Sequence, residues 1–181
     1  VFKVDLVAWM VKLAAEELPS LESIRRCLQP SGHAMQMRLY AEDTQQDFQP
    51  SAGLLSAVYF PKTQGLRVDT WVEAGVDVPP LFDPMLAKLR VTKNTREQAL
   101  TTLSQVLQQT QVYGSETNLD YVVSVLASDP AQSGTLLTRT LAAHSFQCPS
   151  IRVLSAGTQT TVQDYPGRQG YWHIGVPPSG P

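Results

Sequence analysis

Basic charge, cysteine and long apolar runs are all scarce in this sequence, and each scarcity closes off a class of function. Its 181 residues carry 14 Lys and Arg against 16 Asp and Glu, a formal net charge of −2. No basic field is available to draw in nucleic acid or an anionic membrane surface. No apolar run approaches the ~20 residues that span a bilayer. The only cysteines, Cys27 and Cys148, stand far apart. Without metal-ligand spacing or a secretory leader they read as idle or buried thiols of a reducing, cytoplasmic compartment. The glycines match no phosphate-binding loop spacing. His33 has no second histidine near it to build a metal site, and it reads as a packed or hydrogen-bonded core residue. The chain opens on Val1 rather than methionine, which fits a mature chain or one cut from a longer one.

What is present is a globular composition, 43% hydrophobic and 17% charged. Residues 5–18 predict a helix, with Leu6, Val7, Met10, Val11 and Ala14 at helical spacing, Asp5 at its start and Pro19 as its stop. A short helix over 20–28 gives way to the Pro30-Ser31-Gly32 break. Residues 33–42 alternate as a strand. His33, Met35, Met37 and Leu39 fall on one face, and Gln36, Arg38, Tyr40 and Glu42 on the other. Further strands are predicted over 54–60, 66–72 and 85–92, separated by Gly65, Gly75 and Pro79-Pro80. The clearest helix covers 94–110, with Asn94 and Glu97 in capping-box spacing. Two more are expected over 117–127 and 135–144. Strands first and helices later predict an α+β domain, a mixed, mainly antiparallel sheet with packed helices. The texture changes after Ser145. A new strand over 151–154 opens a stretch rich in Gly, Pro, Thr and aromatics, too short to bury a core of its own.

Ordered motifs carry a resemblance over residues 31–145. Gly32-His33-Ala34 leads through Arg38 to Tyr40-Ala41-Glu42-Asp43. Asp47-Phe48, Pro50-Ser51 with Gly53, and Arg67-Val68-Asp69-Thr70 follow. Asp83-Pro84-Met85-Leu86-Ala87-Lys88-Leu89, Arg96 with Ala99, and Glu116-Thr117-Asn118-Leu119-Asp120 complete the set. This stretch resembles the C-terminal domain of biotin carboxylases. Residues 4–18 resemble the tail of the preceding ATP-grasp domain. Residues 152–181, with Thr160-Thr161-Val162-Gln163-Asp164-Tyr165-Pro166-Gly167-Arg168 and Gly170-Tyr171-Trp172, resemble the start of a urea carboxylase carboxyltransferase domain. The resemblance implies three parts: 1–20 as the ATP-grasp tail, 21–146 as the biotin carboxylase C-terminal domain, and 147–181 as an incomplete carboxyltransferase β segment.

The resemblance implies a fragment of a biotin-dependent urea carboxylase, a class often fused to allophanate hydrolase as urea amidolyase. Such an enzyme uses MgATP and bicarbonate to carboxylate biotin on a carrier domain, then moves the carboxyl group to urea to give allophanate. Biotin, ATP and magnesium are thus the implied cofactors, bicarbonate and urea the substrates, and a homodimer a further partner. The fragment alone is expected to be inactive, its ATP and metal sites lying elsewhere. The other reading is a non-catalytic truncated product or a dimerising module.

Within this frame Arg38 is the catalytic candidate. A guanidinium grips an oxyanion through two parallel bonds and keeps its charge at any relevant pH, although the same residue also fits a plain surface arginine. Glu42 shares its predicted face and either orients it or belongs to a solvated acidic loop, while Asp43 serves a turn. Asp83 pairs with Arg38, acts on biotin, or caps the next strand. Lys88 reads as a partly exposed strand lysine. Gln36 stands where the family usually has glutamate, which removes a charge two residues from Arg38. Asp164, Arg168 and Tyr171 are the candidates of the carboxyltransferase loop. No metal ligands are assigned.

Overall fold

The computed structural model describes residues 1–147, 151–155 and 158–162. It opens with helices α1 (Leu6–Ala14) and α2 (Leu21–Cys27). Asp5 starts α1 by accepting from the Ala8 N–H at 3.0 Å. The helix ends before Pro19, because Glu16 takes a left-handed φ of 58°. Most of its apolar residues find no cover: Leu6, Val7 and Met10 are 63%, 70% and 69% exposed, while Trp9 is half-buried. Ser20 caps α2 through the Ser23 N–H.

The body begins with β1 (His33–Tyr40), followed by the short strands β2 (Glu42–Asp43), β3 (Gln49–Pro50), β4 (Gly53–Leu54), β5 (Ala57–Tyr59), β6 (Leu66–Thr70) and β7 (Asp77–Val78). Then come β8 (Met85–Lys93), helix α3 (Arg96–Gln109), β9 (Gln111–Tyr113) and helices α4 (Leu119–Ala127), α5 (Asp129–Ser133) and α6 (Thr138–Ala142). A hairpin of β10 (Ile151–Ser155) and β11 (Thr158–Val162) follows.

The long strand β8 is central to a three-stranded sheet ordered β1-β8-β6. Arg38 faces Lys88, Gln36 faces Arg90, and Arg90 faces Arg67 on the other side. The pleat sorts these strands. Met37, Leu39, Ala87, Leu89 and Val91 point inward and are buried, while Gln36, Arg38 and Arg90 point outward. Helix α3 lays Ala99, Leu103, Val106 and Leu107 on the inner face, and Leu119, Val122 and Val123 of α4 close the same core. Each fully buried leucine there contributes about 1.5–3 kcal/mol.

The α+β class stands, and every ladder among the described residues is antiparallel. Several local expectations shift. The strand expected over 54–60 breaks into β4 and β5, which pair with different partners, β7 and β9. The cap of α3 is Thr95, whose Oγ1 accepts from the Gln98 N–H at 3.2 Å, one residue after Asn94. Helix α5 was not anticipated. Arg96 secures its end by donating to the carbonyls of Ala131 and, at 2.7 Å, Gln132, groups that a short helix leaves without partners. His33 is not a core histidine. It is exposed, because its face of β1 runs beyond the core at the strand's first residue, opposite Lys93.

Candidate functional site

The outward face of β1 carries the candidate residues, and β1's own alternation puts them there. Arg38 stands out from the sheet with its guanidinium exposed; Nη1 donates to Tyr40 Oη at 3.4 Å. That hydrogen bond, and more weakly the negative charge of Asp83, favour its cationic form further. Lys88 is its half-buried neighbour on β8. Gln36 is exposed two residues earlier.

Glu42 does not continue the face of Arg38. Strand β1 ends at Tyr40, after its register with β8 shifts between Leu39 and Tyr40. The buried Ala41 then turns the chain. Its N–H donates to the Pro84 carbonyl at 2.8 Å, and its carbonyl accepts from Ser51. Glu42 and Asp43 pair with Pro50 and Gln49 instead. Asp43 serves a turn, as its side chain accepts from the Gln45 N–H and the Gln46 amide.

Asp83 caps the entry to β8, accepting from the Met85 N–H at 2.9 Å. It also acts electrostatically on both Arg38 and Glu42. One end of the sheet therefore gathers a cation and two carboxylates, with Asp83 linking the other two. Asp164, Arg168 and Tyr171 lie outside the described residues.

Burial, and then the negative charge of Asp83, push the Glu42 carboxyl above its ordinary value of 4.5. The sign follows. The folded state holds this proton more tightly than the unfolded state, so stability falls as pH rises from about 4.5 through the raised value. Glu42→Gln is thus expected to melt higher than the parent at pH 7 and to match it near pH 4. Equal melting temperatures at both pH values would show that Glu42 is not strained by its surroundings.

One residue of this region was missed in the sequence as anything but a motif letter. Asn118 is buried, and its carboxamide holds β1 at Arg38 and Tyr40 rather than the helix it precedes. The signal available was an asparagine at a helix start, which predicts a cap. Nothing local tells that its side chain turns to a strand 78 residues away.

The comparisons agree with this architecture. The biotin carboxylase C-terminal domain model matches residues 36–143. The urea amidolyase of Saccharomyces cerevisiae is 44% identical over 177 residues, 98% of this chain and 9% of that protein. The crystal structure of the Kluyveromyces lactis urea carboxylase superposes with a TM-score of 0.75 at 43% identity, over 100% of this chain and 16% of that one. The biotin carboxylase of Halalkalibacterium halodurans is 34% identical over 142 residues, 78% of this chain and 30% of that protein. The chain thus spans about a tenth of the yeast relative and under a third of the bacterial one. With the family match covering the β1-β8-β6 sheet from Gln36 onward and the helices packed on it, the chain belongs to the biotin carboxylase C-terminal domain family.

Proposed function

We propose that this chain is a segment of a biotin-dependent urea carboxylase that uses ATP and bicarbonate to make allophanate from urea. One observation carries the choice of acceptor. Similarity to the urea amidolyase runs over 98% of the chain, whereas similarity to the free-standing biotin carboxylase covers 78%. The biotin carboxylase family match ends at residue 143. What is shared beyond it supports the division at 146, with residues 147–181 opening a carboxyltransferase domain and residues 1–20 closing an ATP-grasp domain. The uncovered apolar face of α1 is consistent with that last assignment.

In this reading Arg38 is the catalytic residue of the segment. Its exposed, permanently charged fork grips bicarbonate and then the anion that develops as the carboxyl group is transferred. Tyr40 steadies the guanidinium from one side. Asp83 sets its field, and Glu42 and Gln36 border the biotin site. When bound, biotin supplies the ureido nitrogen that carries the carboxyl group from one half of the enzyme to the other. Among the described residues no group of three His, Cys, Asp or Glu side chains could hold a metal. Magnesium is therefore not assigned to them. The biotin carrier domain and a second copy of the enzyme are the partners this reading implies.

The test is acceptor dependence in the full-length gene product. ADP release is expected to require bicarbonate, to rise with urea, and to stop when avidin captures the biotin. Turnover that ignores urea but responds to an acyl-CoA would replace the acceptor. Turnover that ignores avidin would remove the carboxylase reading itself.

A further inference from the structure

The strand that carries Arg38 is held from an unexpected direction. β1 is an edge strand of its sheet, so among the described residues its outer row of backbone groups has no neighbouring strand. At Arg38 and Tyr40 that row is filled by one side chain. The Tyr40 N–H donates to Asn118 Oδ1 at 3.0 Å, and Asn118 Nδ2 donates to the Arg38 carbonyl at 3.2 Å. The Asn118 N–H adds a third bond, to the Tyr40 carbonyl at 3.2 Å. A carboxamide offers the same donor and acceptor pair as a peptide, so Asn118 acts as a one-residue strand.

Two further observations give this clamp its meaning. The ladder between β1 and β8 loses register between Leu39 and Tyr40, so β8 alone does not fix the backbone on the far side of Arg38. Asn118 also occupies the N-cap position of α4, where its residue type is among the best caps, yet it makes no cap bond there. Its side chain is committed to β1 instead, and it is 7% exposed. Helix α4, anchored in the core through Leu119, Val122 and Val123, is the rigid base from which it reaches.

We propose that Asn118 is a positioning residue for Arg38, fixing the backbone on both sides of the arginine so that its guanidinium meets the anion in one orientation. This rests on Arg38 being the anion-gripping residue. A displacement of about 1 Å at such a group costs up to about a hundredfold in rate.

The experiment is a double-mutant cycle in the full-length enzyme, read as biotin- and bicarbonate-dependent ADP release, with thermal melting alongside. Asn118→Ser keeps a good N-cap but is too short to reach β1. It is expected to lower kcat about ten- to a hundredfold with the KM for ATP unchanged. Asn118→Asp keeps the acceptor for the Tyr40 N–H and loses the donor to Arg38, so it is expected to fall between the two. In an Arg38→Ala background neither change costs more than about twofold, because the group they position is gone. If Asn118→Ser does not fold, the cycle is read from Asn118→Asp. Wild-type kcat in a folded Asn118 variant overturns the inference. So does an equal loss in both backgrounds, which marks Asn118 as a packing residue while Arg38 keeps its role. A fully active Arg38→Ala overturns the reading of Arg38 itself, and the positioning role falls with it.

Discussion

Arg38→Ala in the full-length enzyme is expected to lower biotin-dependent ADP release by about 10²–10³, the usual cost of removing one preorganised contact to a developing oxyanion. Its melting temperature is expected to stay at the parent's. Both halves of that expectation come from where the side chain stands. Arg38 is on the outward face of β1, its recorded side-chain partner is Tyr40 at 3.4 Å, and the core packs against Met37 and Leu39 on the other face. Removing the guanidinium leaves no buried group without a partner. Arg38→Lys is expected to recover only part of the activity. An ammonium supplies the charge but not the two parallel donors. Gln36→Glu is the informative companion. It places a carboxylate opposite Arg90 on the same face, so it is expected to alter biotin carboxylation while urea dependence stays as it was. A fully active Arg38→Ala would reject the catalytic role. An inactive variant with a collapsed melting temperature would make Arg38 structural.

The face that presents Arg38 was legible in the sequence because a strand has a period of two. Met35, Met37 and Leu39 alternating with Gln36, Arg38 and Tyr40 leave little choice of orientation. Helix α3 was legible for the corresponding reason at a period of 3.6, and Ala99, Leu103, Val106 and Leu107 are buried as that stripe requires. Periodicity fails where a long-range hydrogen bond decides. Glu42 continues the alternation on paper, but the Ala41 N–H goes to Pro84 and the strand ends. The stretch over 54–60 reads as one strand, but Leu55 bonds to Val76 while Ser56 bonds to Tyr113, and the two halves part. His33 shows the remaining kind of miss. Its place in the pattern is right, yet the core does not extend to the first residue of β1. Asn118 is the costliest omission, since the local signal for a cap was present and tertiary structure redirected the side chain.

Gly114→Ala is expected to be the most destabilising single-methyl change in the domain, at about 2–5 kcal/mol. Two costs meet at this position. Its φ of 106° is backbone that a residue with a Cβ rarely adopts, and forcing one there costs about 1–2 kcal/mol. The new Cβ would also lie 2.1 Å from the Leu54 carbonyl oxygen and 2.9 Å from the Ser56 nitrogen, both of them backbone atoms that no rotamer change can move. Overpacking of that kind adds about 1–3 kcal/mol. Gly75 separates the two costs. Its φ is 93°, but nothing lies within 4 Å of where its Cβ would stand. Gly75→Ala is therefore expected to cost about 1–2 kcal/mol, less the small gain from a stiffer unfolded chain. Chemical denaturation of both variants beside the parent gives the comparison, and equal losses would show that the contact with Leu54 and Ser56 carries no weight. The clash has a consequence for the site as well. Gly114 leads directly into Ser115, whose hydroxyl donates to the Ser51 carbonyl at 2.8 Å, and into Glu116, whose N–H donates to Ser51 Oγ at 3.1 Å. Those bonds seat the segment that ends at Asn118. A backbone pushed away at Gly114 moves the clamp on Arg38 too, so the full-length Gly114→Ala enzyme is expected to lose activity at temperatures where it is still folded. Full activity up to the melting transition would show that the Ser51 contacts hold Asn118 in place without Gly114.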